Sequence, residues 1–254
     1  MKITYQAPTG EYHRLYRDML AQPHLLIAGA TGSGKSVVIN GLMYTALYRF
    51  HGEFRADSVQ FILIDPKRVE LVAYRDLPHT IRYVSEPEEI VSALKYAMQL
   101  CDWRYQQMQS FRVRKYPGGD VYVIIDEFAD LMTTNKRVIQ PLIQRLAQIG
   151  RAAKIHIILA TQTPIAKVLP TEIKCNFDAR IALRTRSAQD SRNIIGCTGC
   201  ENLPRYGRGY YMSPEEEGFF TVPYYTDEQL TERIRWWVSQ KTETQPRKRW
   251  KLWR

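Results

Sequence analysis

A chain of 254 residues is long enough for one large domain with a sizeable core, or for two small ones, and its 44% hydrophobic and 24% charged content is that of an ordinary globular protein. With 36 Lys and Arg against 26 Asp and Glu, the net charge of +10 favours a polyanionic partner, nucleic acid ahead of a membrane surface. The opening MKITYQAPTGEYHR has no apolar signal core and no run of about 18 apolar residues occurs, which excludes a membrane-spanning reading and leaves the expectation of a cytoplasmic protein. Four cysteines are no disulfide framework at this size. Cys197-Thr-Gly-Cys200 has no second pair or histidine cluster near it, so it reads as a turn carrying two reduced thiols rather than a zinc site.

Taken in order, residues 1–23 form a lead-in whose Tyr12, Leu15, Tyr16, Met19 and Leu20 stand at near-helical spacing, closed by Pro23. Leu25-Leu26-Ile27-Ala28 is a short buried strand, followed by a glycine-rich loop and a helix from Ser36 to about Tyr48. A second strand, Val59 to Asp65, stops at Pro66, and helical periodicity returns from Pro87 to about Arg112. After the breaker Pro117-Gly118-Gly119, the β-branched run Val121 to Ile125 has the texture of a strand buried on both faces. A helical region starts at Ala129 to Leu131 and continues over Val138 to Ile149, with Gly150 as its cap. Ile155 to Ala160 and Ala179 to Leu183 are the fourth and fifth strands. Strands alternating with helices predict an α/β fold, a mainly parallel sheet with helices on both faces. From Pro204 the texture changes to a hairpin around Gly209-Tyr-Tyr-Met and Gly218-Phe-Phe-Thr-Val, then a last helix over Thr226 to Ser239. The expected division is 1–23 lead-in helix, 24–240 main α/β domain and 241–254 basic aromatic tail.

Gly29-Ala30-Thr31-Gly32-Ser33-Gly34-Lys35-Ser36, with Val37 opening the helix, fits G-x-x-x-x-G-K-[ST] at every fixed position. Glycines let backbone N–H groups fold around phosphate oxygens, and the helix N-terminus adds a favourable partial charge. Lys35 is expected on the β- and γ-phosphates of ATP and Ser36 on Mg²⁺. Asp126, at the end of a buried strand, would hold Mg²⁺ through water, and Glu127 would polarise the attacking water. The competing reading of Asp126-Glu127 is a helix-capping pair, which loses weight downstream of a complete phosphate loop. At the end of the fourth strand, Gln162 is the first choice for a γ-phosphate sensor and Thr161 the second.

HLLIAGATGSGKSVVIN, FILIDPKRVEL, VIIDEFADLM, RLAQIGRAAKIHIILATQTP and RIALRTRSAQDSRNIIG, in this order and spacing, resemble the motor domain of the FtsK/SpoIIIE family of double-stranded DNA translocases over roughly residues 24 to 238. The resemblance implies a RecA-like P-loop ATPase that assembles as a hexameric ring around duplex DNA. It places the trans-acting arginine of a neighbouring subunit at Arg151, for which a helix C-terminal cation is the competing reading. It places a phosphate-contacting residue at Arg192, with Lys174 weaker. Thr163 stands where the family usually has arginine and Ala188 where lysine is common, so DNA grip is expected to be redistributed to Lys167 or to Arg184 and Arg186.

The tail Arg247-Lys-Arg-Trp-Lys-Leu-Trp-Arg254 reads as a solvated run, with DNA or partner contact as the rival suggested by its tryptophans. Two alternatives to a DNA translocase are carried. One is a coupling or secretion ATPase that works with conjugation or segregation partner proteins; the other is a nucleotide-dependent DNA clamp without hydrolysis, against which Glu127 and Arg151 both argue.

Overall fold

The apolar runs pair into one mixed sheet. In the computed structural model, which describes residues 10–49, 58–222, 224 and 226–240, six strands run parallel: β1 (His24–Ala28), β2 (Val59–Ile64), β3 (Thr80–Val84), β4 (Asp120–Ile125), β5 (Ile155–Thr161) and β6 (Ala179–Ala182). The hairpin β7 (Arg208–Met212) and β8 (Glu217–Thr221) extends the sheet antiparallel. The order is β3-β2-β4-β5-β1-β6-β7-β8. β1 therefore lies between β5 and β6, and β5 separates it from β4.

Register follows from the period of two. In β1, Leu25 and Ile27 face one core and Leu26 the other; in β4, Tyr122 and Ile124 oppose Val121, Val123 and Ile125; β5 repeats this with Ile158 and Ala160 against Ile155, Ile157 and Leu159. One face is covered by α1 (Gly10–Ala21), α2 (Lys35–Arg49) and α7 (Asp227–Gln240), the other by α3 (Pro87–Phe111), α4 (Phe128–Ile149) and the short α5 (Thr171–Lys174). Each Leu, Ile or Val moved from water into these layers contributes about 1.5–3 kcal/mol, and a one-residue slip would turn a whole strand's set to the wrong side. α1 belongs to the core: Leu15, Tyr16, Met19 and Leu20 are buried beside Val38 and Leu42 of α2.

The helices expected over 36–48, 87–112 and 226–239 form within a residue or two of those limits. The helical region after β4 is one element broken at Asn135 (φ −148°, ψ 50°), just after Thr133 and Thr134, whose hydroxyls donate back to the carbonyls of Ala129 and Asp130. Gly150 ends it, its N–H on Leu146 O at 2.8 Å, but with φ of −63°. A Cβ there would stand 2.4 Å from Ile155 O, so close approach to β5 demands the glycine rather than a left-handed turn. The edge strand β3, the short helix α5 and α6 (Ala188–Ile195) come in addition to the strands and helices expected. Among the described residues no helix is long and apolar enough to cross a membrane. The basic aromatic tail lies outside the described residues.

Candidate active site

Parallel strands deliver their C-terminal ends to one edge, and the loops there make the site. β1 leads through Gly29–Ser36 into α2, whose first bonds include Val38 N–H to Gly34 O at 3.0 Å. Gly32 (φ +71°) and Gly34 (φ +101°) take backbone conformations that a side chain would strain, which leaves the loop free to wrap an anion. Lys35 is buried, as is Ser33, while Thr31 is exposed at the tip. Ser36 and Val37 are half-buried at the start of α2.

Two strands away, β4 ends at Asp126 and Glu127, both 2% exposed. Burial pushes the Asp126 carboxyl up to about 6; the Lys35 ammonium opposes this, and the carboxylates of Glu70, Asp65 and Glu127 reinforce it. Asp126 Oδ1 is buried with no hydrogen-bond partner among the described residues. A buried carboxylate with one oxygen lacking a hydrogen-bond partner among the described residues fits a divalent cation, and Ser36 and Asp126 are the residues that would hold Mg²⁺. Glu127 is saturated by comparison. Thr161 Oγ1 donates to its Oε1 at 2.8 Å, the Gln162 N–H reaches both oxygens at 3.1 and 3.2 Å, the Ala129 N–H lies at 3.4 Å, and Lys67 Nζ is 3.4 Å from Oε2. As the N-cap of α4 it performs the capping role weighed above.

Both sensor candidates are in contact with the site, for different reasons. Thr161, the last residue of β5, points at Glu127. Gln162, one residue on, accepts a hydrogen bond from Thr31 Oγ1 of the phosphate loop at 2.7 Å, and its carbonyl accepts one from Arg186 Nη2 at 3.1 Å. A continuous chain thus runs from Thr31 through Gln162 to Arg186, with Glu127 attached at the Gln162 N–H.

Sequence reasoning passed over Asp65 and Lys67, although both lie in the quoted IDPK stretch. Asp65 is fully buried at the end of β2, its Oδ2 accepting from the Leu71 N–H at 3.0 Å and Tyr83 OH at 3.4 Å. Lys67 reaches Glu127 and, at 3.8 Å, Asp130. A lysine just beyond β2 was the available signal; that β2 pairs directly with β4, and so brings Lys67 to Glu127, was visible only in the fold.

Arg151 is not near this edge. It is exposed in the turn before β5, at the opposite end of a seven-residue strand, about 20 Å of β-rise from Gln162. Lys167 is exposed in the loop after β5. Lys174, at the end of α5, donates to Asn193 O of α6 at 3.4 Å, and Arg192 is exposed on α6. The four expected DNA contacts therefore fall in two places, Arg186 and Lys167 by the phosphate loop's edge and Lys174 and Arg192 around α6. In the turn between α6 and β7, Cys197 is exposed and Cys200 buried, its thiol pushed up to about 11 mainly by burial.

The profile of the FtsK/SpoIIIE family matches residues 6–121 and 117–166. The DNA translocase FtsK of Rickettsia typhi is 38% identical over 241 residues, covering 78% of this chain and 32% of its own length. That of Chlorobaculum tepidum is 41% identical over 216 residues, covering 77% and 26%. This chain thus spans about a third or less of the length of these curated relatives. Among solved structures, the pCW3 conjugation coupling protein TcpA with ATPγS superposes with a TM-score of 0.75 at 22% identity, covering 89% of this chain and 66% of that one. The cytoplasmic domain of the Thermomonospora curvata type VII secretion ATPase EccC gives 0.71 at 23%, covering 85% and 28%. These likenesses, with the strand order above, make the fold a RecA-like P-loop ATPase fold.

Proposed function

This chain belongs to the FtsK/SpoIIIE family, and from that membership we propose that it is an ATP-driven motor which moves double-stranded DNA, working as a ring. The observation that carries the reading is the hydrogen-bonded chain Thr31–Gln162–Arg186 with Glu127 attached to it. It links the loop that would hold phosphate, the carboxylate that would accept a proton and an exposed arginine on the DNA-facing side of the reading. A change at the phosphates is then felt at a cationic loop through three named contacts.

In this reading the backbone of Gly29–Ser36 and the ammonium of Lys35 bind the phosphate chain, while Glu127 takes the proton of the attacking water. Bound Mg²⁺, held by Ser36 and Asp126, supplies charge neutralisation on the phosphates. Thr161 and the Gln162 N–H fix the orientation of the Glu127 carboxylate. Arg151, distant from its own loop, acts on a neighbouring subunit's site, which requires an oligomer, and a hexameric ring is the form proposed. Arg192, Lys174, Lys167 and Arg186 grip phosphates irrespective of sequence.

ATP turnover measured by phosphate release, with and without duplex DNA, tests this. Duplex DNA is expected to stimulate turnover severalfold, with Lys35→Ala and Glu127→Gln each lowering it by at least about a hundredfold. Turnover that duplex DNA leaves unchanged across a range of salt would defeat the motor reading, and tight ATP binding with no phosphate release would point to a clamp.

A further inference from the structure

A cavity of about 330 Å³ opens beside the phosphate loop on the β6 side, away from Asp126. It is lined by Ala30, Thr31 and Ser33 of the loop and by Arg184, Thr185, Arg186, Glu201 and Arg205. Three cations against one anion leave the cavity positive. Glu201 is committed elsewhere, since its Oε2 accepts the Gly199 N–H at 2.8 Å.

Arg205 is set over the tip of the loop. A Cβ placed on Gly32 would lie 3.5 Å from Arg205 Nη2 and 3.6 Å from Nε, so the guanidinium stands against the exposed tip. Arg205 has no ion pair among the described residues, and its guanidinium lies 5.5 Å from the centre of the Tyr206 ring. Nor is its position a matter of a loose loop. On one side Cys200 and Leu203 are buried with Ala28 and Ala182, and the Thr185 N–H donates to Cys200 O at 3.2 Å. On the other side β7 begins at Arg208 and pairs with β6. The segment between is held at both ends.

We infer that Arg205 binds the phosphate chain of the nucleotide from within its own subunit, as a second cation across the loop from Lys35. The inference rests on the nucleotide-binding reading above and adds to it a residue that lies far from the loop in sequence. An unpaired guanidinium beside backbone N–H donors suits a phosphate oxygen, to which it offers two parallel N–H groups. Because the cavity lies on the side of the loop opposite Asp126, its contact is with the part of the chain common to ADP and ATP, not with the group that is transferred. Arg205 and Arg151 then have separable tasks, the first in binding within the subunit and the second in turnover between subunits.

The test is equilibrium binding of fluorescent ADP and ATPγS to the full chain, alongside steady-state hydrolysis. Arg205→Ala is expected to weaken both nucleotides about tenfold. It should raise KM for ATP to the same extent and change kcat less than about twofold, while Arg205→Lys recovers part of the loss. Because Arg205 is exposed, the thermal melt without nucleotide should be unmoved, which separates binding from folding. Equal affinity in Arg205→Ala and the wild type, or a loss confined to ATPγS, overturns the inference. If the wild type itself binds neither nucleotide and Lys35→Ala changes nothing, it is the nucleotide-binding reading that has failed.

Discussion

The two ends of the parallel strands differ in what most of their buried polar groups are bonded to. At the N-terminal edge, His156 sits between Pro23 O and Asp120 Oδ1, 3.0 Å from each, and stacks on Tyr122. Arg104, 5% exposed, donates to the carbonyls of Ala153 and Lys154 at 2.7 and 3.0 Å, and Lys154 Nζ reaches Gly118 O at 2.8 Å. At the C-terminal edge, Asp126 Oδ1, Asp65 Oδ1 and Ser33 Oγ are all buried with no hydrogen-bond partner among the described residues, next to a loop that needs two positive φ angles. The N-terminal edge mainly uses its polar groups to tie strands and helices together, although Arg104 Nε and His24 Nε2 are also buried there with no hydrogen-bond partner among the described residues. The other holds them ready for something that arrives, at a cost in stability to the empty protein.

The sharpest way to break this contrast is Asp126→Asn. Burial raises the Asp126 carboxyl from 3.8 to about 6. Below pH ~4 it is protonated whether the chain is folded or not; as pH rises through 6 the folded state alone resists ionisation and loses stability. The Asn variant escapes that loss. It should be more stable than the wild type by up to about 3 kcal/mol at neutral pH, with the gap closing towards pH 4, while hydrolysis is abolished. Denaturation at the two pH values together with phosphate release checks both halves, and a destabilised variant at pH 7 would contradict the account. Arg104→Ala, at the other edge, is expected to do the reverse. It should lower stability by about 2–4 kcal/mol and leave kcat unaltered well below the melting temperature. A smaller effect is expected at Lys67, whose side chain is 40% exposed. Lys67→Ala removes a competing donor from Glu127, and turnover without DNA should rise about two- to threefold with no change in melting temperature. A fall in that turnover would mean that Lys67 supports the carboxylate rather than restrains it.

Local pattern reached the centre of the sheet and stopped short of its margins. β1, β2, β4 and β5 are continuous apolar runs because both of their faces are covered, and such runs are legible without any knowledge of neighbours. β3 is an edge strand with Arg82 and Tyr83 half-buried in its middle, and α6 is amphipathic but only eight residues long, too short a window for its period to be read. The phosphate loop could be read from eight consecutive residues. Which of Thr161 and Gln162 serves the site could not, because the period of two sends consecutive residues in different directions, one to Glu127 and the other to Thr31. Lys67 and Arg205 depend on loops that follow β2 and precede β7, brought to Glu127 and to the phosphate loop respectively only by the strand order. Spacing along the chain holds no trace of such meetings.

The packing of α1 on α2 has a mechanical side. The first residue of α2 is Lys35, and Leu15, Tyr16, Met19 and Leu20 clasp that helix from outside through buried contacts. Tension applied at the start of α1 would load this clasp before it reached the sheet, so the helix that ends in the phosphate loop doubles as a strut. A single-molecule pull from residue 10 should therefore meet its resistance at the same side chains that keep Lys35 in place.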